Sequence, residues 1–351
     1  MITVEHTLQQ QWESLKKETP SIRIRNAAKE LGVSEVELLA TECGENVVRL
    51  RPEFANILKE VEKFGKVMAL TRNEFAVHER KGVYLNSHLD NPHVGMFVGE
   101  DIDLRIFLNN WDSVFAVRQE TKAGERFSLQ FFSKSGEATH KIFLLPQSNY
   151  QLFEELTEKF IDQNQFRTQE VTPPKPAEAE LPDSDIDLAS FQKGWVNLKD
   201  THHFFGLVKK HKVGRMQALR LAPEGNYAVK VRPVAFRKCI ELASQTETPI
   251  MVFVGNGNMI QIHTGKVNKI VDAMGWFNIM DPDFNLHLNQ EEIAHAWIVR
   301  KPTTDGLVTA LECYDSEGKQ IVQLFGKRKP GIPELDAWKE ITREVESMNS
   351  L

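Results

Sequence analysis

Cysteine is scarce in this chain: Cys43, Cys239 and Cys313 are the only three in 351 residues. They stand far apart, with no CxxC and no Cys/His cluster, which argues against a disulfide framework, a structural zinc site and an iron–sulfur cluster. Long apolar runs are lacking too. No stretch approaches the ~20 residues that a membrane-spanning helix needs. The opening MITVEHTLQQQWESLKKE is polar and amphipathic, without an apolar core of signal-peptide length. The expected location is the cytoplasm, with no membrane insertion. The net charge is -6, so the chain as a whole is not built to bind nucleic acid, and any basic site must be local. There is no GxSxG, HExxH, Walker A loop or dinucleotide-binding glycine fingerprint; GNGNM (255–259) follows the run MVFV and reads as a hairpin turn.

What remains is an ordinary globular composition, 41% hydrophobic and 26% charged, long enough for two domains or for one built twice. Leu8, Trp12 and Leu15 predict a helix over residues 5–19, and a second helical pattern covers 24–31. Ser34 followed by Glu37 is a capping box opening a third. From Val47 the texture becomes short strands: VVRLRP, KVMALTR, EFAVHER, GVYLNS, IDLRIFL, SVFAVRQ, FSLQFFS and HKIFLL. A helix over 150–163 ends this half. Residues 164–190 contain PPKPAEAELPDSDIDL, whose proline and acid content predicts an exposed linker.

The first half then recurs. GVSEVELLATECGENVVRLRP (32–52) matches KVGRMQALRLAPEGNYAVKVRP (212–233), each a short helix, a Gly-containing turn and a strand ending in Arg-Pro. DLRIFLNNWDSVFAVR (103–118) lines up with NLHLNQEEIAHAWIVR (285–300), and KSGEATHKIFL (134–144) with SEGKQIVQLFG (316–326). The spacing stays near ~180 residues, as an ancient duplication requires. The expected fold is therefore α+β: an N-terminal half (1–163), the linker (164–190) and a C-terminal half (191–351), each half a large, mainly antiparallel sheet with packed helices.

Candidate site residues cluster in DTHHFFGLVKKHKVGRMQALRL (200–221), read as one helical segment. On a helix His202, Phe205 and Lys209 share a face, setting a nitrogen ligand beside an aromatic ring. The alternative is that His202 and His203 merely open the helix after Asp200-Thr201. Arg215 suits a carboxylate ligand through its fork, whereas Lys209, Lys210 and Lys212 read better as a solvated face. Arg105 and Phe107 alternate onto one face of DLRIF; an inward arginine there would mark a site, an outward one nothing. His78 in FAVHERKG and His263 in IQIHTG occupy matching repeat positions, and each reads more readily as a sheet-face histidine than as a ligand. Lys301, in Arg300-Lys301-Pro302, and Lys327-Arg328-Lys329, where a strand meets a loop, complete the basic groups.

The block 200–221, with GWFNIMDPDFNLHL, AWIVRKPTTDGLVTALECYDSEG and DLRIF on a duplicated frame, resembles the bacterial cytoplasmic haemin-degrading factor and haem-trafficking family (HemS/ChuS/HmuS/PhuS-like), over nearly the whole chain. The resemblance implies haem b (iron protoporphyrin IX) held between the halves, with His202 as axial ligand to the iron and Arg105 as the distal arginine, Phe107 beside it. It implies Phe205 on the macrocycle, Arg215, Lys301 and Arg328 at propionates or the rim, and Gln323 lining the pocket. Phe325 stands where family members often carry tyrosine, one hydroxyl fewer. His78 matches a histidine proposed as a second haem site in some relatives, and His203 is a possible alternative ligand during hand-over. Haem is a largely apolar disc with an anionic edge, so aromatic walls, one axial base and rim cations suit it. Two functions use the same pocket: oxygenase-type ring opening that frees iron, with electrons from a partner reductase, or a non-catalytic carrier passing haem from an inner-membrane ABC importer to a separate haem oxygenase.

Overall fold

The computed structural model describes residues 7–91, 93–122, 124–174, 179–329 and 331–351. The first half runs α1 (Leu8–Glu18), α2 (Ile24–Leu31), α3 (Glu35–Ala40), β1 (Val47–Leu50), α4 (Phe54–Val61), β2 (Val67–Arg72), β3 (Ala76–Gly82), β4 (Ser87–His88), β5 (Gly95–Val98), β6 (Asp103–Ile106), β7 (Trp111–Thr121), β8 (Gly124–Ser133), β9 (Ala138–Leu144) and α5 (Tyr150–Phe160). The second runs α6 (Leu188–Val196), α7 (His203–His211), α8 (Arg215–Arg220), β10 (Ala228–Val231), α9 (Ala235–Gln245), β11 (Ile250–Gly255), β12 (Met259–Gly265), β13 (Ile270–Ala273), β14 (Trp276–Met280), β15 (Phe284–Leu288), β16 (His295–Thr303), β17 (Gly306–Tyr314), β18 (Gln320–Gly326) and α10 (Asp336–Asn349).

Local sequence accounts for the helix ends. The Ser34 hydroxyl accepts from Glu37 N–H while Glu37 Oε2 accepts from Ser34 N–H at 2.8 Å, so the capping box opens α3. α2 and α7 both stop on a left-handed residue, Gly32 (φ 71°) and Lys212 (φ 52°). That stop corrects one expectation: residues 200–221 form two helices, α7 and α8, because Lys212 turns the chain left-handed and Gly214 then begins a new helix. GVYLNS is likewise not a strand beyond its ends, since Val83–Asn86 lie between β3 and β4, and the short β5 carries no signal of its own in sequence.

Among the described residues the strands make two nine-stranded antiparallel sheets, in the orders β1-β7-β8-β9-β2-β3-β15-β14-β13 and β10-β16-β17-β18-β11-β12-β6-β5-β4. Each strand of one order holds the place of its repeat partner in the other, so the duplication extends from sequence to topology. The chain divides into two compact units. Unit 1 takes the described residues of 1–71, 79–175 and 256–260; unit 2 takes those of 72–78, 176–255 and 261–351. Unit 1 has a core of Leu58, Phe64, Phe97, Leu104, Ile106, Phe131 and Ile142. Unit 2 has one of Phe236, Ile250, Val252, Ile298, Leu311, Leu324 and Trp338, where α9 and α10 cover one face of its strands. On the other face α6, α7 and α8 pack Phe191, Trp195, Phe204 and Leu219 against Trp297, Val299 and Tyr314.

Much of segment 164–190 is held in place. Gln165 brackets β1 by accepting from Arg49 N–H (2.9 Å) and donating to Arg49 O (2.9 Å), and Thr172 N–H donates to Lys134 O at 2.7 Å. Further on, Asp187 caps α6 through Ser190 N–H.

Candidate functional site

His202 is the N-cap residue of α7. Its side chain is 85% exposed, yet its ring is fixed, because Nδ1 lies 2.6 Å from Asp200 Oδ1. The same oxygen accepts the backbone N–H of His202 at 2.8 Å. That backbone bond, with the ring contact second, holds the Asp200 carboxyl below its ordinary range against modest burial. An ionised carboxylate only accepts, so Nδ1 carries the proton and Nε2 offers its lone pair outward. This is how a metal-ligating histidine is commonly presented, with its second nitrogen donating to a carboxylate. Phe205, one turn on, is 73% exposed. A large ring facing solvent is an apolar wall with nothing covering it among the described residues. His203, the first residue of α7, is also exposed.

Phe204 points the opposite way and is buried. Two cations flank its ring, the Arg215 guanidinium and the Lys301 ammonium, each 4.9 Å from the centroid. Both meet Glu312, a fully buried carboxylate on β17. Arg215 Nη2 donates to both of its oxygens at 2.6 Å, Lys301 Nζ donates to Oε1 at 2.8 Å, and the Tyr314 hydroxyl donates to Oε2. Arg215 Nε also donates to the Tyr314 oxygen at 3.1 Å. Burial would push the Glu312 carboxyl up, but the two cations override it and hold it at about 2. Burial holds the Lys301 ammonium down at about 8, with Arg215 adding to the effect and Glu312 opposing it. One carboxylate against two cations leaves one net positive charge beneath the start of α7.

Cross-strand register extends this face. Glu312 pairs with Gln323, and Ala310 with Phe325. Gln323 and Phe325 are half-buried while Val322, Leu324 and Gly326 between and around them turn into the other core. Phe325 packs its ring 4.9 Å from Phe253. Unit 2 thus brings together Phe204, Arg215, Lys301, Gln323 and Phe325 on the sheet face that α7 covers. Arg328 follows β18, largely covered, 4.0 Å from Asp305. Sequence reasoning missed Glu312 and Asp200. For Glu312 the available sign was a single acid inside the otherwise apolar strand TALECY.

In unit 1, Leu104 and Ile106 enter the core while Asp103, Arg105 and Phe107 take the half-exposed side of β6. Arg105 pairs with Asp103 and donates to Leu104 O at 3.0 Å, its side chain 28% exposed and so neither sunk in the core nor free in solvent. His78 is fully buried, its ring 5.0 Å from Phe284, and His263 stacks on the same Phe284 at 3.7 Å. The two are not repeat partners. Asn73 and Asn256 head equivalent turns, each bonding the backbone of Ala76 or Met259, so His78, third in β3, corresponds to Gln261, and His263, fifth in β12, to Arg80. A cavity of about 290 Å³ in unit 2, lined by Arg300, Leu307, Thr309, Glu334, Lys339 and Arg343, contains none of the residues singled out from sequence.

Comparison with known proteins matches this arrangement to one family. The model of the haemin-degrading HemS/ChuX domain matches twice, over residues 32–160 and 212–345. The hemin transport protein HmuS of Yersinia pestis is 36% identical over 95% of this chain and 96% of its own length. The crystal structure of holo-PhuS, a heme-binding protein from Pseudomonas aeruginosa, superposes with a TM-score of 0.94 at 46% identity over 99% of this chain and 100% of that one. ChuS, an E. coli heme oxygenase, gives 0.86 at 35% identity over 97% and 99%. With both repeats matched and relatives aligned end to end, the chain belongs to the haemin-degrading HemS/ChuX family.

Proposed function

We propose that this protein binds haem b through His202 and opens its ring in an oxygenase-type reaction that frees iron for the cell. The observation that carries the reading is the His202 ring, oriented by Asp200 with Nε2 open to solvent, three residues before the exposed Phe205. The residues suit such a cargo: a neutral imidazole nitrogen for iron, an uncovered aromatic ring for the macrocycle, and a net positive charge from Arg215, Lys301 and Glu312 for the anionic edge. Gln323, Phe325 and Arg328 are assigned to the same pocket. Haem brings the redox chemistry and the protein supplies placement and field. Arg105 is assigned the distal role, with Phe107 beside it, and electrons come from a partner reductase. One relative is described as a heme oxygenase and another as a heme-binding protein.

A carrier reading is favoured by one observation, the adjacent and exposed His202 and His203 at the head of α7, since two neighbouring ligands allow staged release from an importer to a separate oxygenase. In either case we place the protein in the cytoplasm. No helix among the described residues is long and apolar enough to cross a membrane. His78 lies buried against Phe284, and a second haem there requires local opening.

The test mixes purified protein with haem, a reductase with NADPH, and catalase to remove free peroxide. A defined tetrapyrrole product supports the enzyme; intact haem that moves only to an added oxygenase supports the carrier. His202→Ala is expected to weaken binding and shift the Soret band, and an unchanged spectrum and affinity would remove His202 from the site. Arg105→Ala is expected to retain haem and slow turnover.

A further inference from the structure

We infer that Asp200 is the positioning residue of this site: it locks the His202 ring as the Nδ1–H tautomer and strengthens Nε2 as a donor to iron. The inference deepens the haem-binding reading above and rests on it. Three observations carry it. First, one oxygen, Asp200 Oδ1, receives both the His202 backbone N–H (2.8 Å) and the ring Nδ1 (2.6 Å). The ring is therefore tied to its own backbone through a single atom, which fixes its rotation without help from the surrounding fold. Second, the arrangement survives at a position that is 85% exposed, where an imidazole would otherwise turn freely and exchange tautomers. Third, His203 next door makes no side-chain hydrogen bond to a described residue, so the sequence pair His-His is resolved into one oriented ring and one unoriented one.

The chemistry follows from the charge of the acceptor. An Nδ1–H donating to a carboxylate places more electron density on the imidazole than one donating to water, and a more basic ligand favours the higher oxidation state of a bound iron. Asp200 is thereby expected to hold ferric haem more tightly than ferrous haem and to lower the reduction potential of the bound group. Reduction of the iron would then loosen the grip of the ring, whichever fate the haem meets next.

Asp200→Asn separates this role from the backbone bond to His202 N–H, because an asparagine Oδ1 can still accept that bond while the charge is removed. The first measurement needs no haem: nitrogen-15 NMR of the neutral His202 ring in the haem-free protein is expected to show the Nδ1–H form in the wild type and a mixture in D200N. With haem bound, D200N is expected to raise the reduction potential, lower the iron–histidine stretching frequency of the ferrous form and weaken ferric-haem affinity by about 10- to 100-fold, with helicity unchanged by circular dichroism. An Nε2–H ring in the wild-type haem-free protein overturns the proposal. So do a potential and stretching frequency in D200N equal to those of the wild type. If instead His202→Ala leaves haem affinity unaltered, the haem assignment of His202 fails, and the tautomer measurement alone still decides whether Asp200 governs the ring.

Discussion

At the residue scale, Glu312 sets the electrostatics beneath α7. Its carboxyl is held at about 2 against an ordinary value of 4.5, so the folded state binds its proton more weakly than the unfolded chain. The resulting stabilisation is fully present above about pH 4.5 and is lost as pH falls toward 2, amounting to roughly 3 kcal/mol for this group alone. Acid titration of the wild type should show that loss, and Glu312→Gln should flatten it. The same variant leaves the buried Lys301 and the half-buried Arg215 without their counter-charge, at a cost of about 3–5 kcal/mol, readable by urea denaturation at neutral pH; a midpoint equal to wild type would show that the cations find other partners. Arg215 and Lys301 could be named from sequence as cations of interest, but not as partners of one acid, because the pairings reach across 97 and 11 positions. Asp200 stood in plain view two residues before His202. Its significance depends on a 2.6 Å hydrogen bond to the His202 ring that spacing does not encode.

At the scale of elements, the short-range rules were legible and the long-range ones were not. The Ser34–Glu37 box, the α2 periodicity and the long strands β7, β8 and β9 follow from patterns within a dozen residues. The break between α7 and α8 was hidden, because Lys212 adopts φ 52° without being glycine; Val213 and Ala218, just after it, are buried in one core cluster. Val83–Asn86 looked like a strand, yet the Tyr84 hydroxyl is spent on His140 Nε2 at 2.6 Å inside unit 1. Gly326, at the end of β18, shows a constraint of the same kind. A Cβ there would lie 2.6 Å from Trp338 Cγ on α10, so Gly326→Ala must push the helix off the sheet. Overpacking of that sort costs about 1–3 kcal/mol, and thermal melting should register it. A melting temperature matching wild type would mean that Trp338 can turn aside.

At the scale of the whole molecule, the duplication was the most legible feature, because co-linear similarity needs no knowledge of contacts. The make-up of the two units was not legible, since it depends on where distant strands pair. Unit 1 includes residues 256–260. They supply Asn258 O to Phe107 N–H at 3.0 Å, Asn256 Nδ2 to Thr139 O at 2.8 Å, and Met259 Sδ to the Thr71 hydroxyl at 3.4 Å. A fragment of residues 1–175 lacks all three, and its Phe107 amide is expected to exchange hydrogen far faster than in the full chain. Equal protection in fragment and full chain would show that the five residues are dispensable. These five residues also set a clock on synthesis. The 80 residues from 176 to 255 separate them from the rest of unit 1, and at ~5–20 residues per second a ribosome needs roughly 4–16 s to make that stretch. For that interval the nascent first half stands with β6 and β9 lacking their late partners.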